Sequence, residues 1–83
     1  KPVLACHLAD VLLRRDRLAD ALDVLHQARD TYPASLDVHH ALARSLAQAG
    51  DTAGAAAEYD LMLKRDDLTP QAREMFQKER DRL

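Results

Sequence analysis

The stretch LAQAGDTAGAAAEY, residues 46–59, is a run of good helix formers interrupted once, at Gly50-Asp51, with neither a proline nor a long polar loop at the break. Alanine, leucine, glutamine and glutamate lose little side-chain freedom in a helix, so both flanks favour that conformation. Glycine enters the left-handed region without a Cβ clash and ends a helix there. An aspartate placed next accepts a hydrogen bond from a free N–H of the following first turn. The stretch therefore predicts helix, sharp turn, helix, and a connection this short forces the two helices to lie antiparallel.

Outward from that turn the pattern recurs. Displacing the sequence by 34 residues aligns Leu8 with Leu42, Ala9 with Ala43, Leu12 with Leu46, Ala19 with Ala53 and Ala21 with Ala55, and it keeps apolar character at Leu4/Val38 and Leu25/Tyr59. Asp16 stands in the place of Gly50, and aspartate is among the few residues besides glycine that tolerate positive φ. Ser35 and Thr69 coincide as well, each a good N-cap ahead of a new apolar-periodic run. The expected helices run from Val3 to Arg15, Leu18 to Thr31, Leu36 to Ala49 and Thr52 to Arg65. Pro33 ends the first pair, and Pro70, directly after the Thr69 cap, opens a fifth helix to about Arg82 whose Ala72, Met75, Phe76 and Leu83 fall on one face. The expected fold class is all-α, an antiparallel helix-pair solenoid of five helices. It forms one domain over residues 1–83, with repeated units at 2–35 and 36–69 and a capping helix at 70–83 that covers the last exposed flank.

Composition points the same way. Hydrophobic residues make up 47% of the chain, but alanine supplies 15 of them and aromatics only three, so the core must form by close approach of small side chains. Two glycines and three prolines leave too little turn chemistry for a hairpin-based fold. Twelve basic residues stand against 14 acidic ones, with no basic run longer than a pair such as Arg14-Arg15, which argues against nucleic acid as a partner. No apolar stretch approaches the roughly 18 residues of a spanning helix, so direct membrane insertion within this chain is not expected. The lone Cys6 has no internal disulfide partner. Localisation is not readable from these residues, a cytoplasmic address being only slightly favoured, and arginine exceeding lysine amid abundant alanine is the balance of a GC-rich bacterial gene.

The spacing Leu8-Ala9-x-x-Leu12, Ala21-x-x-x-Leu25, Ala28, Pro33 is similar to the tetratricopeptide repeat pattern, and the second copy repeats it as Leu42-Ala43-x-x-Leu46 and Ala55-x-x-x-Tyr59 with the Gly50-Asp51 turn. The resemblance covers residues 2 to about 68. Departures are Ala5 and His39 where the family often has a large aromatic, Met62 for a small residue, and Asp67 at the place of Pro33. With so few repeats, close to the minimum that stacks stably, the chain is expected to be a piece of a longer protein.

In such stacks the first helix of each pair lines a concave groove. The resemblance would place Cys6, Asp10 and Arg14 there from the first unit, Asp37, His40 and Arg44 from the second, and Glu74 and Lys78 from the last helix, with Arg29 on the convex side. A groove of this kind takes an extended or helical peptide of another protein. The basic, asparagine-containing clamp by which some relatives hold acidic carboxy-terminal peptides is not expected, because the corresponding places hold Cys6, Asp10 and Ala41. Asp10 and Arg44 occupy equivalent places in adjacent units and could pair with each other, contributing about 0 to 1 kcal/mol. No His-x-x-x-His or Cys-x-x-Cys pair sets two metal ligands on one face, no phosphate loop is present, and Cys6 has no histidine at a catalytic spacing. The expectation is a non-catalytic interaction scaffold without cofactor or metal. The alternative is an assembly element forming a homo-oligomer through the open amino-terminal flank, with Leu4, Val11, Leu22 and Val24 as candidate contacts.

Overall fold

The computed structural model describes residues 2–83; Lys1, the first residue of the expected domain, lies outside them. Among the described residues there are five helices and no strand: α1 (Pro2–Arg14), α2 (Leu18–Thr31), α3 (Leu36–Gln48), α4 (Thr52–Leu63) and α5 (Pro70–Asp81). They pack in chain order, α1 with α2, α3 with α4 and α4 with α5, while α3 also meets both helices of the first pair.

Both sharp turns use one mechanism. Asp16 has φ 61° and Gly50 has φ 85°. The N–H of Arg17 donates to the Leu12 carbonyl at 2.8 Å, and that of Asp51 to the Leu46 carbonyl at 2.9 Å. One residue earlier, Asp16 donates to Leu13 and Gly50 to Ala47, each at 3.1 Å. This crossed pair of bonds satisfies carbonyls that the last helical turn leaves without partners. The turns differ at the next helix start. The Asp51 carboxylate accepts from the Gly54 N–H at 2.9 Å, and Gly54 keeps the space clear, since a Cβ there would lie 2.6 Å from that carboxylate. Arg17, in the equivalent place, makes no side-chain cap bond and pairs with Asp20 at 2.6 Å instead. Ser35 and Thr69 cap α3 and α5 through the N–H groups of Val38 and Ala72, as their spacing predicts.

The small residues sit where the helices cross. Ala9, Ala21, Ala28, Ala43 and Ala55 are all buried. Ala9, Ala21, Leu25, Leu42, Leu46 and Ala55 form one core between the pairs. Ala43, Tyr59, Met62 and Phe76 form a second core under α5. Met62 thus fills space beneath the last helix with a flexible side chain. On α5 the inward row is Ala72 and Phe76, continued by Glu79; Met75 and Leu83, expected on the same face, are exposed instead. Met75 lies one position round the helix from Phe76, which turns it past the edge of the contact.

Equivalent residues of the two units differ in burial for a reason outside themselves. Val38 and Leu42 are fully buried, whereas Leu4 and Leu8 are 67% and 48% exposed. The first pair packs on α3, and no described element packs in that way on the outer side of α1. Of the other flank candidates, Leu22 is half-buried against the first core and Val11 and Val24 are half-buried.

Candidate functional site

The first helices of the two pairs, α1 and α3, bound an open cleft of about 400 Å³. Because they stand one repeat apart, the cleft is walled by matching positions: Val3 faces its counterpart Asp37, Cys6 its counterpart His40, and Asp10 its counterpart Arg44. Ala9, Leu13, Leu25 and Ala41 supply an apolar floor. Ser45 is fully buried in that floor, and its hydroxyl has no hydrogen-bond partner among the described residues.

Five of the eight residues expected in a groove, Cys6, Asp10, Asp37, His40 and Arg44, converge on this cleft. Arg14 lies beyond the lining and pairs with Asp10 at 2.9 Å, one turn along α1. Asp10 is therefore bound to its own helix, and the Asp10–Arg44 pair does not form; Arg44 and Asp37 make no hydrogen bond or ion pair among the described residues. Glu74 and Lys78 pair with each other at 3.0 Å on the outer side of α5, beside a separate depression with Gln71, Met75 and Arg82. A helix that caps a stack covers its own inner row and leaves such residues to solvent.

His40 has a second task. Its Nε2 donates to Glu79 Oε1 at 2.9 Å, and the Tyr59 hydroxyl donates to the same oxygen at 2.7 Å. The His40 ring stands edge-on to Phe76, with centroids 4.9 Å apart. His40 thus latches α5 onto α3, and Tyr59 latches it onto α4. Burial disfavours the Glu79 carboxylate, but the Tyr59 and His40 hydrogen bonds and the Arg44 charge outweigh it and hold its pKa below the ordinary value. Burial, and then the Glu79 hydrogen bond, push the Tyr59 phenol up. Burial, with the nearby Asp37 carboxylate second, raises the Cys6 thiol as well, which keeps it protonated and a poor nucleophile at neutral pH.

Behind the cleft lies a polar cluster that sequence reasoning missed. Glu58, its side chain 5% exposed, takes Arg29 Nη1 on Oε1 at 2.8 Å and meets His39 Nδ1 with Oε2 at 2.7 Å. His39 Nε2 donates to the Pro33 carbonyl at 2.7 Å. The cluster joins α2, α3 and α4. The signal was the spacing of Glu58 between Ala55 and Met62, which places a charge on the buried side of α4 and so requires partners. Arg29 is consequently no free convex cation. Among the described residues, no group of three or more His, Cys, Asp or Glu side chains is placed to hold a metal ion.

Repeated helix pairs, twin turns and alanine crossings are the architecture of one family, and the sequence model of the tetratricopeptide repeat matches residues 12–78. The chain belongs to the tetratricopeptide repeat family. No curated protein and no solved structure matches it. Tetratricopeptide repeats generally mediate protein–protein interaction, and members of the family are typically scaffolds without catalysis of their own. The match covers both turns and the α3 wall of the cleft, while the α1 wall from Val3 to Asp10, and Glu79 at the end of α5, lie outside it.

Proposed function

We propose that this chain is a non-catalytic scaffold that holds a peptide segment of another protein in the cleft between α1 and α3. The observation that carries this reading is that Asp37 and Arg44, at the rim of a cleft with an apolar floor, make no direct hydrogen bond or ion pair among the described residues, although the Arg44 charge is felt at Glu79. Arg29–Glu58, Arg80–Asp60 and Arg65–Asp67, by contrast, are paired. Charges without a direct partner beside an apolar floor are the combination that steers and orients a ligand.

Selection of a random phage-displayed peptide library against the chain, followed by titration of an enriched peptide into isotope-labelled protein, tests this. Amide shifts are expected around Cys6, Asp10, Asp37 and Arg44. Arg44→Glu should weaken binding about fivefold and change its salt dependence. The control is Lys64→Glu at the end of α4, which should leave binding unchanged; Arg29→Glu is unsuitable because it sets two carboxylates together at Glu58. Equal indifference to both reversals would overturn the reading.

The exposure of Leu4 and Leu8 favours a second reading, an assembly element that self-associates through α1. In that case light scattering gives a multiple of 9.3 kDa, and peptide-induced shifts do not reach the cleft.

A further inference from the structure

We propose that the cleft takes a polyproline-like segment bearing one cationic and one anionic side chain three residues apart, an inference that rests on the peptide-binding reading above. The shape of the cleft selects an extended chain. Its α1 wall runs from Val3 to Leu13, about 15 Å at the helical rise. α1 and α3 pack directly on one another, so the trough between them is narrower than a helix of about 10 Å diameter. A helical ligand would rest on the rims, whereas an extended backbone can follow the floor.

The spacing of the free charges selects among extended chains. Asp37 and Arg44 both face the cleft from α3, seven residues and therefore about 10 Å apart along its axis. A β-strand covers that distance in three residues but turns the third side chain to the opposite face. A polyproline helix repeats every three residues and about 9.3 Å, so positions i and i+3 return to one face at nearly the required separation. The cation then lies at Asp37, the anion at Arg44, and the residues between them rest over Cys6 and Ala41. Asp10, which faces Arg44 across the cleft, is paired on its own helix with Arg14 and is half exposed, so it opposes the anion only weakly. Either order of charges satisfies the cleft, according to the direction in which the segment lies.

Four capped peptides test this by titration into isotope-labelled protein: Pro-Lys-Pro-Ala-Glu-Pro, its charge-swapped form Pro-Glu-Pro-Ala-Lys-Pro, Pro-Pro-Lys-Glu-Ala-Pro with adjacent charges, and Pro-Gln-Pro-Ala-Gln-Pro with none. One of the two spaced peptides is expected to bind at least about fivefold tighter than the adjacent and neutral ones. That preference should vanish in Asp37→Asn and in Arg44→Gln, with far-ultraviolet circular dichroism unchanged. Equal binding by all four, or none by the spaced pair, overturns the inference. A library-selected peptide of other composition that still shifts the cleft amides would then leave the peptide-binding reading standing, whereas shifts confined to Leu4 and Leu8 would remove both.

Discussion

At the scale of single residues, the heaviest stakes lie at Glu58. Its carboxylate is buried and serves a guanidinium and an imidazole from two other helices. Removing the carboxylate leaves the largely buried His39 ring without its partner, while the partly exposed Arg29 guanidinium falls back on solvent, so Glu58→Ala should cost about 1–3 kcal/mol, read as a lowered urea midpoint with an unchanged slope. For a small domain that is a large share of total stability. The candidate site was only partly legible at this scale. Cys6, Asp10, Asp37, His40 and Arg44 could be placed because groove positions follow from the period of α1 and α3. The Arg14–Asp10 pair and the double role of His40 could not, since both depend on which of several reachable partners a long or rotatable side chain takes.

At the scale of elements, two turns with the same hydrogen bonds but different residues form a natural comparison. Gly50 occupies its left-handed conformation without a side-chain penalty, and Asp16 occupies nearly the same one with a side chain. Gly50→Val should therefore destabilise by more than about 1 kcal/mol, while Asp16→Gly should be neutral or raise stability by up to about 1 kcal/mol. Thermal midpoints that move together, in either direction, would contradict the shared mechanism. Helix ends and caps were legible because they rest on local chemistry: Ser35, Asp51 and Thr69 act where their spacing predicts. The link from α4 to α5 was not. There Arg73 donates to the carbonyls of Leu63 and Arg65 at 2.6 and 2.8 Å, closing the end of α4 by a contact ten residues away in sequence.

At the scale of the molecule, α5 is joined to the stack through Phe76, the Glu79 carboxylate and the Arg80–Asp60 pair. The folded pKa of Glu79 is depressed, so its contribution is fully present above the ordinary glutamate value of 4.5 and is lost as pH falls through the lower folded value. Acidification below 4.5 should loosen α5 before the alanine-packed pairs, seen as earlier hydrogen exchange at residues 72–80, and Glu79→Gln should weaken that dependence, leaving the part carried by Asp60, whose pKa the Arg80 hydrogen bond holds down. Leu4 and Leu8 carry the remaining lesson of the whole. They have the same chemistry as Val38 and Leu42 and differ in what packs on them: the first pair lies against α3, and no described helix lies in that way against the outer side of α1. In the language of polymers, the α5 end is terminated and the α1 end is still living: a helix pair added ahead of α1 would find a prepared apolar seat, whereas one added behind α5 would meet the Glu74–Lys78 face and find none.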